Sequence, residues 1–372
     1  MSDSPMTPTA VPPQAALVPS APVPLVVDGM TIVTHNHPCC NACRFCSAGR
    51  KHFDNVRFDD FAQVMERFLD WNDRVGRVSR ISPFILYTHA HMPYEQAVRY
   101  RELCERGHYR PLPLQMNGCL LMPEDDMERL LAEQRRAGYD SLTLTFCGTR
   151  ELHDRWVSRK GEFDQLLRIA RIAARLGYTR EEQLFLTRSS IPVLDELLET
   201  LDAIPGARTR RIYPVNRIGR ACQLDGERMT RALLAGISPR ALPYVSMKDV
   251  LHNGEDFKTQ VEWAAWTERA EQTGRTCAGG SDVRKRSLRI HVTEEALPRL
   301  LSGDCGEIFD GHLTRAERVY RAIPSVAALA LEYADPNDDR LYALYELERA
   351  WCGRYLEQYH PELEDDYRLA SL

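Results

Sequence analysis

Strand-like and helix-like segments alternate along residues 30–215, and this alternation limits the possible folds more than any other feature. Short runs of β-branched and aromatic residues predict strands at 30-MTIVTH-35, 81-ISPFILYTH-89, 112-LPLQMNG-118, 141-SLTLTF-146, 183-QLFLTR-188 and 208-RTRRIYPV-215. Between them, apolar residues at helical spacing predict helices at 59–71, 94–107, 124–138, 162–177 and 193–201. Units of about 30 residues in this order support parallel strands with right-handed helical crossovers. Roughly six units do not close an eight-stranded barrel, so the expected fold is α/β, a partial (β/α)6 TIM-type barrel. Catalytic groups then belong at the C-terminal ends of the strands.

Beyond residue 222 the alternation stops. Helices at 228–235 and 256–273, a strand at 287-SLRIHV-292, an irregular stretch at 302-SGDCGEIFDG-311 and a helix near 339–359 predict a smaller C-terminal α+β domain. Residues 1–27 hold seven of the 22 prolines and are expected to stay unfolded, because such a composition buries little apolar surface. The expected division is therefore a tail at 1–27, a core domain at 28–222 and a C-terminal domain at 223–372.

The first basic residue is Arg44, so neither a secretory signal nor an arginine-rich transit peptide fits the N-terminus. No apolar run reaches the length of a membrane-spanning helix. A formal net charge of −5 argues against a general nucleic-acid binder. A cytoplasmic protein with no nucleic-acid or membrane partner is expected. In that reducing setting, 11 cysteines point to buried, catalytic or metal-bound thiols rather than disulfides.

Four of those cysteines crowd into 38-PCCNACRFCSAGR-50, directly after the first predicted strand. Cys39, Cys43 and Cys46 are spaced C-x3-C-x2-C, and thiolates suit zinc or iron–sulfur clusters. A zinc site completed by His35 or His37 is the bland alternative, and would make the chain a non-enzymatic zinc-binding protein. Cys40 is expected to stay outside the set, since including it leaves a ferredoxin-like run without its fourth ligand.

The C-x3-C-x2-C spacing after the first strand, with Phe45 before the last cysteine, resembles the radical S-adenosylmethionine (radical SAM) superfamily. Three further stretches carry the likeness through about residue 222: 115-QMNG-118, 141-SLTLTFCGTRELHDRWVSRKGEFDQLL-167 and 213-YPVNRIGRA-221. They are most similar to the branch with a SPASM or twitch C-terminal domain. The resemblance implies a [4Fe-4S] cluster on Cys39, Cys43 and Cys46 and S-adenosylmethionine on the open iron. Reductive cleavage would then give methionine and a 5′-deoxyadenosyl radical, with electrons from a donor such as a flavodoxin or ferredoxin.

The family's "GGEP" at the second strand end reads 88-THAHMP-93 here, so Thr88, His89 and Ala90 are the implied contacts to the cofactor's amine. His89 and His91 are candidates to touch substrate. Cys147 replaces the usual acidic residue of a "DG" turn and would face the reaction chamber. Asn117 and Thr145 fall at matching strand ends, and Arg155 or Arg159 is implied for the cofactor's carboxylate. Asn216, Arg217 and Arg220 could serve cofactor or substrate. The branch also implies a second, auxiliary [4Fe-4S] cluster, for which Cys222, Cys277, Cys305 and Cys352 are the available thiols. Cys277 and Cys305, beside the 287–292 strand, would form a site over the barrel mouth. With only the 27-residue tail ahead of the barrel, the expected substrate is a small molecule such as a sugar, cyclitol or nucleoside of a natural-product pathway. A peptide maturase forming thioether or carbon–carbon cross-links is the alternative.

Overall fold

Apolar residues three and four apart give each helix of the first half one buried stripe, and the strands supply the surface it covers. In the computed structural model the described residues are 25–35, 39–46, 54–85, 91–249, 254–273 and 284–371. The elements begin with β1 (Leu25–Thr34), α1 (Phe58–Val75), β2 (Arg80–Ile85), α2 (Tyr94–Arg106), β3 (Leu114–Gln115) and α3 (Glu124–Arg136). They continue with β4 (Ser141–Phe146), α4 (Arg150–Val157), α5 (Glu162–Arg175), β5 (Thr179–Leu186), α6 (Leu194–Asp202) and β6 (Arg208–Pro214). On α5, Phe163, Leu166, Ile169, Ala170 and Ala173 are all buried. Burying one leucine of that kind contributes about 1.5–3 kcal/mol.

The later elements are α7 (Arg231–Leu234), β7 (Lys248–Asp249), β8 (Glu255–Asp256), α8 (Gln260–Gln272), β9 (Arg284–His291), α9 (Leu297–Ser302) and α10 (Cys305–Ala322). Helices α11 (Val326–Tyr333), α12 (Leu344–Tyr359) and α13 (Glu364–Ser371) follow. The stretch expected to be irregular at 302–311 is a correction, because Cys305 opens an 18-residue helix. Its two early glycines hid the helix. Asp304 caps it by accepting from the Glu307 amide at 2.9 Å, and a Cβ at Gly306 would press on Trp71 of α1. The nearest atoms to that Cβ are Asp304 Oδ1 at 3.0 Å and Trp71 Nε1 at 3.3 Å, so an alanine there would need these to give by a few tenths of an ångström.

The strands form two parallel sheets, β9-β1-β2 and β3-β4-β5-β6, apart from the small antiparallel β7–β8 pair. Together they make a partial barrel whose strands all point their C-terminal ends the same way. The strand expected at 287–292 joins this wall, with Met30 opposite Leu288 and Ile32 opposite Ile290. Those four side chains are buried on the helix-covered face. On the other face Thr31 Oγ1 meets Ser82 Oγ at 3.0 Å and Ser287 Oγ at 3.3 Å. Among the described residues no helix is long and apolar enough to cross a membrane.

Two buried ion networks tie distant segments together. Glu182, fully buried on β5, accepts from Arg210 of β6 at 2.6 Å and sits 3.4 Å from Arg180, which also reaches the carbonyls of Ile204 and Pro205. Glu346 of α12 pairs with Arg228 at 2.8 Å and accepts from the Arg217 amide just past β6. Tyr342 lies under the Arg228 guanidinium at 4.2 Å.

Candidate functional site

The cysteine loop leaves the C-terminal end of β1 and is pinned on several sides. Cys40 N–H donates to Gly118 O at 3.0 Å, and the amides of Ala42 and Arg44 donate to Val157 and Trp156 of α4, each at 2.9 Å. Cys46 O accepts from the Arg220 amide at 3.0 Å, while the Arg220 guanidinium reaches Ala42 O at 3.3 Å. Arg220, one of three residues considered for cofactor or substrate, thus holds loop backbone. Phe45 faces Trp156 at 6.0 Å and meets Phe185 edge-on at 4.6 Å, and Phe185 in turn meets Tyr213. Aromatic packing fastens the loop to the ends of β5 and β6.

Within the loop Cys39, Cys43 and Cys46 are partly buried and Cys40 is exposed. Burial, reinforced by neighbouring Cys39, Cys46 and Glu162, pushes the Cys43 thiol up to about 12. The donors fit the implied cluster on chemical grounds: three soft sulfurs on one loop, with a protonation cost that cationic iron would reverse. His35, considered as a zinc ligand, turns Nδ1 to Asp54 at 2.9 Å. The fit of the three cysteines is therefore one of chemistry and not of geometry, since among the described residues no three His, Cys, Asp or Glu side chains, these included, gather in a way that could hold a metal ion. His37 lies outside the described residues.

Below the loop, Cys147 follows β4, fully buried, its thiol held well above the usual range by burial and by Cys43. Its amide donates to His153 Nδ1 at 3.2 Å, and burial lowers His153 to about 4. Asp154 accepts from the amides of Gly161 and Phe163 and so caps α5. Asn117 exchanges two bonds with the backbone of Thr145, at 2.7 and 2.8 Å, and extends the short β3–β4 pairing. His91 Nε2 accepts from the Leu120 amide at 3.4 Å. Thr88, His89 and Ala90 lie outside the described residues.

The two arginines implied for the cofactor's carboxylate sit differently. Arg155 is exposed on α4. Arg159 is largely buried and donates to Cys119 O at 2.5 Å, Glu162 at 3.1 Å and Asn41 Oδ1 at 3.4 Å. Glu162 and Asn41 were not singled out in the sequence. The only signal was that an acid opens α5 three residues after Arg159.

The C-terminal cysteines fall on separate elements. Cys222 is exposed and contacts Arg217 O. Cys305 is buried at the start of α10, 4.0 Å from Arg67 in the later turns of α1. Because α1 runs back from the end of β1, this places Cys305 towards the far end of the barrel, not over its mouth as expected. Cys352 is buried in α12, and Cys277 lies outside the described residues.

A family profile described as "Radical SAM superfamily" matches residues 33–203, from the end of β1 to the end of α6. Residues 33–203 carry a radical SAM domain. Members of that superfamily are enzymes, and the domain implies a [4Fe-4S] cluster and S-adenosylmethionine. Among solved structures, SuiB of Streptococcus suis bound to S-adenosylmethionine is 12% identical at a TM-score of 0.36, over 70% of this chain and 50% of that one. Coproporphyrinogen III oxidase (HemN) from Escherichia coli is 14% identical at 0.41, over 72% and 64%. Native anSMEcpe with bound AdoMet is 12% identical at 0.43, over 90% and 98%. The chain thus spans about half the length of SuiB. These likenesses are distant, and the radical SAM assignment rests on the family match. No curated protein matches the sequence.

Proposed function

We propose that this chain cleaves S-adenosylmethionine reductively at a [4Fe-4S] cluster held by Cys39, Cys43 and Cys46, and abstracts hydrogen from a small polar molecule. The observation that carries the reading is the radical SAM match over residues 33–203 together with the loop at the end of β1, where Cys39, Cys43 and Cys46 are partly buried and Cys40 is exposed. When bound, the cluster supplies one electron to the sulfonium, which splits into methionine and the 5′-deoxyadenosyl radical. The protein's part is to seat the cofactor at the strand ends and keep the substrate close.

The inner barrel wall supports a small polar substrate. Tyr213 donates to Gln183 at 2.7 Å and Thr143 to Glu181 at 3.5 Å, both pairs on the face turned away from the helices. Such a wall suits hydroxyl and amine groups of a sugar, cyclitol or nucleoside. In this reading residues 88–93, Asn117, Thr145 and Arg155 border S-adenosylmethionine, and Cys147 lies beneath the reacting region. A cytoplasmic setting with a flavodoxin or ferredoxin as reductant completes the proposal. A second cluster on Cys222, Cys277, Cys305 and Cys352 stays outside the proposal; of these Cys222 is exposed, and Cys305 and Cys352 are buried on α10 and α12.

The test is anaerobic reconstitution, then incubation with S-adenosylmethionine and dithionite and measurement of 5′-deoxyadenosine. Wild type and Cys40→Ala should form it, while Cys39→Ala, Cys43→Ala and Cys46→Ala should lose both product and cluster absorbance. Colourless wild type carrying one zinc would sink the reading.

A further inference from the structure

Glu162 is 1% exposed, and a carboxylate that deeply buried needs partners. Its partners come from three separate segments that meet beside the cysteine loop. Oε1 accepts from Asn41 Nδ2 at 3.1 Å and from the Gly118 amide at 2.8 Å, and Oε2 accepts from Arg159 at 3.1 Å. Asn41 itself is 2% exposed and lies between Cys40 and Cys43. The same Arg159 nitrogen reaches Cys119 O, and Gly118 O receives the Cys40 amide. The acid also opens α5, where the helix dipole favours negative charge. One carboxylate therefore binds the cysteine loop, the turn after β3 and the α4–α5 turn into one unit.

We infer that Glu162 is the positioning residue of the cysteine loop, acting through Asn41, Gly118 and Arg159 to fix the backbone from which the three thiols take up the cluster. The inference rests on the reading that Cys39, Cys43 and Cys46 ligate it. Burial alone does not explain the arrangement. Glu182 is as deeply buried and pairs with two arginines, yet it serves the strand–helix packing near Ile204 and Pro205. Of the partners of Glu162, Asn41 belongs to the cysteine loop itself, Gly118 accepts the Cys40 amide at its carbonyl, and Arg159 reaches Asn41 Oδ1.

The test compares wild type, Glu162→Gln, Asn41→Ala and Glu182→Gln as full chains after anaerobic reconstitution. Iron per chain, the rate of iron loss to a chelator and the EPR spectrum of the dithionite-reduced protein are measured beside thermal unfolding. Glu162→Gln and Asn41→Ala should lose iron roughly 10-fold faster or more, as residues that orient metal ligands commonly do, and should alter the EPR line shape. Asn41→Ala leaves the Glu162–Arg159 pair in place, so it answers the question even where Glu162→Gln fails to fold. Glu182→Gln should lower thermal stability and leave iron release and the spectrum unchanged. Wild-type iron retention and line shape in both loop variants would overturn the inference alone. So would an equal effect from Glu182→Gln. Wild type that binds no cluster would overturn the reading beneath it as well.

Discussion

Gly118→Ala should separate the fold from the cluster loop. Gly118 has φ +81°, and a Cβ built there would lie 2.1 Å from Cys39 Sγ and 3.5 Å from its Cβ. An alanine forced into left-handed backbone costs roughly 1–2 kcal/mol, which a domain with about 5–15 kcal/mol of stability survives. The contact is the larger matter. Ordinary separation is about 3.5 Å, so the sulfur must retreat by about 1.4 Å, while metal–ligand distances tolerate about 0.2 Å. Backing away is obstructed, because the Cys40 amide is tied to Gly118 O itself. The variant should therefore keep wild-type far-ultraviolet circular dichroism and lose a few degrees in Tm. Bound iron and the charge-transfer absorbance should fall to the level of Cys39→Ala. Gly118→Ala protein with wild-type iron content would refute the argument, since Cys39 would then not need the position the structure gives it.

Glu182→Gln should destabilise the protein by about 3–5 kcal/mol in urea titration, because it leaves the buried Arg180 without a carboxylate and Arg210 with Asp202 alone. Leu166→Ala on α5 should cost about 2–5 kcal/mol by the same measurement, as a fully buried side chain whose removal leaves a cavity. The third concerns pH. His153 is depressed to about 4, so the unfolded chain takes up a proton below about 6.5 while the folded one resists until about 4. Folding stability attributable to this group is full above that window and declines by up to about 3 kcal/mol as pH falls through it. His153→Asn, which keeps an acceptor for the Cys147 amide, should flatten that part of the stability–pH curve. An unchanged slope would count against it.

The barrel was legible because its signals are local. Phe61, Val64, Met65 and Phe68 recur at helical spacing, and the strand at 141–146 falls where its residues predict it. Three thiols after a strand carry their own chemistry, so Cys39, Cys43 and Cys46 stood out at once. Less legible was anything made by segments far apart. Asn41 and Glu162 are 121 residues apart and neither is unusual alone, so their buried contact left no trace in local pattern. Arg159 looked like an anion binder because arginines in such motifs suit carboxylates. Its buried partners include one, but on Glu162 of the same chain. Helix α10 runs against the low helix propensity of glycine, carried by the Asp304 cap and by a buried stripe that includes Ile308, Phe309 and Val319. Cys305 was drawn towards the mouth by its sequence neighbours, and the direction of α1 puts it at the other end.

The pairing of β1 with β9 also has a consequence for how the chain is made. Thr31 and Ser287 touch although 256 residues separate them. At about 5–20 residues per second of synthesis, β1 waits on the order of 10–50 s on the ribosome before its second neighbour exists. Over that interval it offers an open row of backbone donors and acceptors, the kind of edge on which wrong partners dock. Closing so long a loop is also slow, because its entropy is lost before the contacts that repay it form. The strand that leads into the cysteine loop, among the earliest to emerge, is thus among the last to be fully paired.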